Sequence, residues 1–375
     1  MKFTCETKLL SKACQTVAMA SATRAGVPAL EGIKIDVKDG NATLCGYNLE
    51  LGITTALGSN GECEDGSIVL DAKMLCNMAK KMPDFLTTIA TDEKGIATVS
   101  SGESKFEVVG IPAGEFPELP KVDEKSSISI TQPILKGMIQ QTVYAVSDSD
   151  CRPVHTGAQF TISGGELTVV GLDGYRLAIC KETVDYSGAP LDFVVPKNAL
   201  SEISKLLSNS ADDMASISVG TRHAAFTIGD YTVFTRLLEG EFLDWRKAIP
   251  KECSTSLKVD TKSFKESVER VGIMISGRVN SPIISEFSSA DGTITVSSNT
   301  AVGRASDSIS AEISGADVKI GFNNKYLIDA LSHAECDEVR LQLNGPLSPM
   351  VVSPDDGDSF LFLVLPVRMK AGDAE

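Results

Sequence analysis

The sequence predicts an α+β protein built from three copies of one domain. Three observations carry that prediction. A short strand followed by an amphipathic helix occurs three times, a second strand-to-helix unit follows each of these, and each third closes on a β run.

The opening units come first. Phe3-Thr4 leads into a helix expected from about Thr7 to Ala20, with Leu9, Leu10, Ala13 and Val17 on one face. Ser127-Ile128-Ser129-Ile130 leads into a helix from Gln132 to about Val146, with Ile134, Leu135, Met138, Ile139 and Val143. Ser256-Leu257-Lys258-Val259 leads into a helix from Thr261 to about Ile275, with Phe264, Val268 and Val271. Apolar residues three and four apart define one helical stripe in each.

The second units run Ile68-Val69-Leu70-Asp71-Ala72-Lys73, Phe193-Val194-Val195-Pro196-Lys197 and Ile320-Gly321-Phe322-Asn323-Asn324-Lys325. Asp71, Pro196 and Asn323 are residues suited to a helix cap or first turn. The lysines that follow are 124 and 128 residues apart, about one small domain. The closing runs are Phe106 to Pro112, Phe234 to Leu238 and Phe360 to Pro366. Turns at Lys38-Asp39-Gly40, Ser163-Gly164-Gly165 and Ala290-Asp291-Gly292 split the alternating runs between helices. Boundaries fall in polar stretches, giving domains at 1–125, 126–253 and 254–370 and a tail at 371–375.

Composition narrows the function classes. Of 375 residues, 42% are hydrophobic and 23% charged, as in ordinary globular proteins. No run approaches 18 apolar residues, and Met1 to Cys5 lacks the apolar core of a signal peptide, so a cytoplasmic protein with no membrane partner is expected. Nine cysteines without a C-x-x-C pair suit reduced thiols rather than a metal site. Nucleotide-binding, nucleophile-elbow and zinc-protease motifs are absent. His155, His223 and His333 lie in unrelated contexts, and Asp355-Asp356-Gly357-Asp358 lacks calcium-loop spacing and reads as a solvated turn. No catalytic residue, metal or cofactor is expected. A hydrolase or transferase on a repeated scaffold would need a converging acid, base or nucleophile.

A net charge of −15 argues against nucleic acid when taken alone. The six helical windows (6–21, 71–84, 132–147, 196–210, 261–276 and 323–335) together carry +4, leaving −19 elsewhere. Helices packed about 8–10 Å apart in a ring of six leave a hole of about 9 Å, too small for a duplex. Twelve leave about 28 Å, so a ring around duplex DNA needs two chains arranged head to tail. Weak, sequence-blind phosphate contacts permit sliding when topology does the holding. A structural assembly protein without DNA would lack such a basic hole.

Specific strings then resemble one family. Met1-Lys2-Phe3-Thr4, Gly171-Leu172-Asp173-Gly174-Tyr175-Arg176-Leu177-Ala178, Glu239-Gly240-Glu241-Phe242-Leu243-Asp244-Trp245-Arg246, Ile320-Gly321-Phe322-Asn323 and Leu365-Pro366-Val367-Arg368 are similar to strings of bacterial DNA polymerase III beta subunits, the DNA sliding clamps. The likeness runs over nearly the whole chain, in order. It implies three clamp domains with helices lining a central hole and sheets outside, closed as a head-to-tail homodimer. It implies a processivity factor that encircles double-stranded DNA. The implied partners are the replicative polymerase catalytic subunit, a clamp loader, translesion polymerases and mismatch-repair proteins, all docking by short peptide motifs.

The resemblance also implies sites. A peptide pocket would use Arg152, His155, Leu172, Gly174, Tyr175, Arg176, Leu177, Leu243, Lys247, Ala248, Leu363, Val364, Leu365, Pro366 and Val367. An apolar slot with a few polar anchors suits a motif of glutamine and bulky apolar residues. Leu243 stands where proline is common, Lys247 where arginine is common, and Pro153-Val154-His155 replaces an aromatic pair and an aliphatic residue. Arg24 and Lys73 match DNA-contacting positions, and Lys8, Lys12, Lys136, Lys197, Lys205, Lys262, Lys265 and Lys325 are further pore candidates. The joint between chains would pair Phe106 and Val108 with Ile273 and Met274.

Overall fold

The computed structural model describes residues 1–61, 63–83, 85–122, 127–149, 151–275 and 281–369. The expected boundary at 125/126 and the tail 371–375 lie outside the described residues. Six α-helices form among the described residues: α1 (Thr7–Val17), α2 (Ala72–Lys81), α3 (Gln132–Val143), α4 (Lys197–Leu206), α5 (Thr261–Gly272) and α6 (Asn324–Ser332). Each odd-numbered helix follows one strand and precedes four, and each even-numbered helix leads into three more, so the same order of elements recurs three times. Two short added strands depart from this plan, Ile111–Pro112 at the end of the first copy and Glu312–Gly315 within the third.

The helices are shorter than the apolar periodicity suggests, because each long one is released after three turns. α1 gives way to a 3-10 turn at Ala18–Ala20. Leu10, Ala13, Cys14 and Val17 are buried as a stripe, but Leu9 is 50% exposed and does not join the core. In α3, Leu135, Met138 and Ile139 are buried while Ile134 is 38% exposed. Phe264, Val268 and Val271 of α5 are all buried. Side-chain caps close the N-termini where the sequence supplies them: Met74 N–H donates to Asp71 at 2.6 Å, Ser263 N–H to Asp260 at 2.7 Å and Lys325 N–H to Asn323 at 3.0 Å.

The described chain gathers into two compact units, Met1–Leu135 with Asn198–Leu237, and Lys136–Lys197 with Leu238–Glu375. Each holds one nine-stranded and one four-stranded antiparallel sheet. The units do not follow the repeats because the large sheets run across repeat boundaries. In the first unit, Tyr231–Arg236 pairs with Leu51–Gly58, placing Val233 opposite Ile53. In the second, Phe360–Val364 pairs with Arg176–Thr183, placing Phe362 opposite Ala178. In both joints the last strand of one repeat meets the fourth strand of the repeat before it.

Helix and sheet approach closely at one repeated point. A Cβ on Gly46 would lie 2.2 Å from the Val17 carbonyl oxygen, and one on Gly171 equally close to that of Thr142. The third copy has Ser298 there, whose buried hydroxyl donates to the Val271 carbonyl at 3.3 Å. Strand alternation then sends side chains to two sides. In the second unit, Ala178, Phe362 and Val364 face the core shared with α5 and α6, whereas Leu177 and Leu363 face the opposite cluster.

Candidate functional site

That opposite cluster is the floor of the expected peptide pocket. Val170, Leu172, Leu177, Ile179, Trp245 and Leu363 pack together, with Phe242, Ile249, Leu361 and Leu365 against them. Leu177 sits directly across from Leu172 on one side and Leu363 on the other, so the sheet ladder itself brings residues from three strands into one apolar row. The Trp245 indole N–H is buried and has no acceptor among the described residues.

Beside the floor lies an open cavity of about 900 Å³, lined by Arg152, Val154, His155, Phe242, Leu243, Lys247 and Ala248, with Glu239, Glu241 and Asp244 around it. Phe242 belongs to both the cavity wall and the apolar cluster, so floor and cavity adjoin there. Leu243 is 46% exposed and available to a ligand. Lys247 reaches Asp244 at 3.1 Å but stays solvent-exposed. The His155 ring meets Phe242 edge-on at 5.4 Å, and burial together with nearby Arg152 lowers its pKa below the usual histidine value.

Two of the expected pocket residues have other positions. Val364 is buried in the helix-side core, because its neighbour Leu363 takes the pocket face and adjacent strand residues must alternate. Arg176 is not an open anchor. Its Nε donates to Asp173 at 3.0 Å, Nη1 donates to Asp329, and the guanidinium lies over the rings of Tyr326 at 4.6 Å and Tyr144 at 5.4 Å. Burial opposes its charge, but the bonds to Asp329 and Asp173 outweigh that and raise its pKa. Arg176 therefore fastens the second and third repeats together rather than meeting solvent. Gly174, at φ +89°, turns the chain so that Tyr175 projects, 62% exposed and stacked on Tyr326. Leu365 N–H donates to the Tyr175 carbonyl at 2.9 Å, which holds Leu365 beside that turn, and the N–H of partly exposed Val367 donates to the Gly321 carbonyl at 2.7 Å.

Two sheet edges stand out. Ser104–Val109 is one of the two edge strands of the first unit's four-stranded sheet, and Gly303–Ser310 one of the two of the second unit's. Phe106 is 44% exposed and Val109 84%. Phe106 and Val108 line a mainly apolar groove of about 460 Å³ with Met74, Asn77 and Met78 of α2. Ile273, just after α5, is 76% exposed, and Met274 beside it is half-buried.

The candidate DNA-contacting cations differ in their surroundings. Lys8, Lys12, Arg24, Lys73 and Lys325 are exposed. Lys197 bonds Asp148 at 2.6 Å, Lys205 bonds Glu202 at 2.8 Å, Lys262 lies 3.9 Å from Glu266 and Lys265 3.8 Å from Glu269. Lys136 is half-buried and also engaged.

Models of the DNA polymerase III beta subunit match the chain in three consecutive parts: the N-terminal domain at 1–120, the central domain at 129–244 and the C-terminal domain at 246–368. The chain belongs to the DNA polymerase III beta subunit family. It is 33% identical to the beta sliding clamp of Halalkalibacterium halodurans over 98% of this chain and 100% of that protein. It is 30% identical to that of Staphylococcus epidermidis, covering 98% of this chain and 99% of the relative. A structure described as that of a DNA polymerase III beta subunit from Eubacterium rectale superposes with a TM-score of 0.94 at 32% identity, covering 98% of this chain and 100% of that one. The Bacillus subtilis sliding clamp does so at 0.94 and 30%, covering 99% and 100%. The Pseudomonas aeruginosa clamp, solved bound to griselimycin, superposes at 0.92 and 27%, covering 98% and 100%.

Against that family background, the structure adds residues that sequence reading passed over. Trp245 and Phe242 lie inside a string already singled out, but nothing in their order says that they face Leu177. Asp329 and Tyr326 are on α6, and Asp329 is 153 positions from the arginine it binds, a contact with no local signature.

Proposed function

We propose that two copies of this chain close head to tail around duplex DNA and act as a sliding clamp, a processivity factor that performs no chemistry itself. The observation that carries the reading is the pattern of sheet joints. Each large sheet forms where the last full-length strand of one repeat pairs with the fourth strand of another, and two strands lack such a partner within the described chain: Ser104–Val109, the last full-length strand of the first repeat, and Gly303–Ser310, the fourth of the third. They are the two halves of one more joint of the same kind, available only between copies. Phe106 and Val108 with the α2 groove would receive Ile273 and Met274 there.

The domains of this reading are 1–125, 126–253 and 254–370. The pocket centred on Leu177, Leu243 and His155 would take a short peptide carrying apolar side chains and a glutamine. The replicative polymerase, clamp loader, translesion polymerases and mismatch-repair proteins would compete for it. Val364 and Arg176 would shape this pocket from behind rather than touch the peptide. The nine thiols are all free, which suits a cytoplasmic setting. No helix among the described residues is long and apolar enough to cross a membrane.

Retention on DNA tests the reading. The protein, loaded by a clamp-loader ATPase onto a nicked circular plasmid, should stay with the plasmid through gel filtration and leave when the plasmid is cut once. Equal retention on circular and cut plasmid would show binding without encirclement.

A further inference from the structure

We infer that the chain's grip on the DNA backbone is concentrated in one groove of the first repeat, between α1 and the end of α2, rather than shared evenly by the six helices. This rests on the duplex-DNA reading above and specifies where that contact lies.

The helix bodies differ sharply in charge. α1 carries Lys8 and Lys12 with no carboxylate, and α2 carries Lys73, Lys80 and Lys81 with none, five positive charges in all. The other four helix bodies total three: one each for α3, α4 and α5 and none for α6. Ion pairing widens the difference. Lys205 on α4 and Lys262 and Lys265 on α5 each have a glutamate three or four residues along the same helix, so phosphate must compete with a resident carboxylate. Lys8, Lys12 and Lys80 have no carboxylate within 4 Å among the described residues.

Geometry gathers these three. Lys8, Lys12, Gln15, Lys80, Pro83 and Phe85 line one open groove of about 690 Å³. Lys8 and Lys12 are one helical turn apart on the same exposed face, and Lys80 approaches from α2. Phe85 is 58% exposed at the groove's rim, an apolar surface for deoxyribose beside cations for phosphate. The Gln15 side-chain amide already donates to the Ser11 carbonyl at 3.0 Å and to its hydroxyl at 2.9 Å, so it is committed rather than poised to read a base. The ligand chemistry is therefore a sugar–phosphate backbone, recognised without regard to sequence.

Two charge-matched triple variants test this. Lys8→Gln/Lys12→Gln/Lys80→Gln and Lys205→Gln/Lys262→Gln/Lys265→Gln each remove three positive charges. Binding of a short fluorescein-labelled linear duplex, whose free ends let a ring thread, is followed by anisotropy across a salt series. The native mass of each variant is checked alongside. The groove variant should bind at least about tenfold more weakly, with the slope of log K against log salt reduced by about 2 to 3. The second triple should lose clearly less on both measures. Equal losses, or a larger loss in the second, would overturn the inference while leaving the duplex reading in place. A wild-type dimer that fails to bind the duplex at any salt would overturn both.

Discussion

The register of the joint between copies can be worked out from the two joints inside the chain. Four residues before each odd-numbered helix lies Phe3, Ile128 or Leu257. Cross-strand pairing extends each into a row: Phe3–Ile89–Val99–Phe106, Ile128–Ile217–Phe226–Val233 and Leu257–Leu341–Val352–Phe362. The second row continues across its joint to Ile53 and Gly46, and the third to Ala178 and Gly171. The first row must then continue to Ala305, which pairs with Ser298, the third copy's counterpart of those glycines. Phe106 opposite Ala305 puts Glu107 opposite Arg304. Both are exposed, on the side away from the helices, so the alternation agrees; a slip of one residue would break it. Reversing one charge loses an exposed ion pair and creates a like-charge pair, each worth about 0.5 kcal/mol. A closed dimer has two such joints, so Glu107→Arg should cost about 2 kcal/mol, roughly a thirtyfold rise in the dimer dissociation constant. Arg304→Glu should cost about the same. The double variant Glu107→Arg/Arg304→Glu should recover most of the loss. Sedimentation velocity over a dilution series reads all four proteins. Failure of the double variant to recover, with both single variants weakened, would refute the register; wild-type protein that stays at the 39.8 kDa chain mass throughout would refute the joint itself.

Leu243→Asp should weaken an apolar, glutamine-containing peptide at least about tenfold, measured by calorimetry, with little change in thermal stability because Leu243 is already nearly half exposed. Leu177→Ala, by contrast, should lower unfolding stability by about 2–5 kcal/mol in urea titration, since Leu177 is part of the packed floor; a neutral result would mean that the floor is loosely packed. Arg176→Met should destabilise by about 3–5 kcal/mol because it strands Asp329 and Asp173. Adding Asp329→Leu should return much of that, and no recovery would place the cost elsewhere. His155 has a lowered pKa, so between its folded value and the usual 6.5 the unfolded chain holds the extra proton and stability rises with pH. Stability should fall on acidification through that window, and His155→Gln should flatten that part of the urea-midpoint profile; an unchanged profile would clear His155 of the effect.

The threefold order was legible because each repeat's signals are local: an alternating strand, a cap and a 3.6-residue stripe all lie within about 20 neighbouring positions. Leu9 shows where local periodicity stops, for its place beside Leu10 satisfies the stripe, yet the helix is rotated so that Cys14 takes the inner position and Leu9 meets solvent. The apolar cluster around Leu177 was legible by residue type and string, but not by side. Leu363 and Val364 are both apolar neighbours in a β run, and only the pairing of Leu363 with Leu177 decides which of them joins that cluster. The pairing of Arg176 was hidden for the same reason at longer range. Its partners come from a turn three residues away and from α6, and no sequence pattern connects the two. The lysines follow this rule too. Net charge per helical window made the first five helices look alike, because cap acids such as Glu6 and Asp71 were counted against cations they do not neutralise. The Asp71 carboxylate accepts from the Met74 backbone, whereas Glu202 bonds directly to Lys205. What decides whether a lysine can hold a phosphate is thus the geometry of its own carboxylate neighbours. That geometry separates the α1–α2 groove from α5, which the charge sums treated as equals.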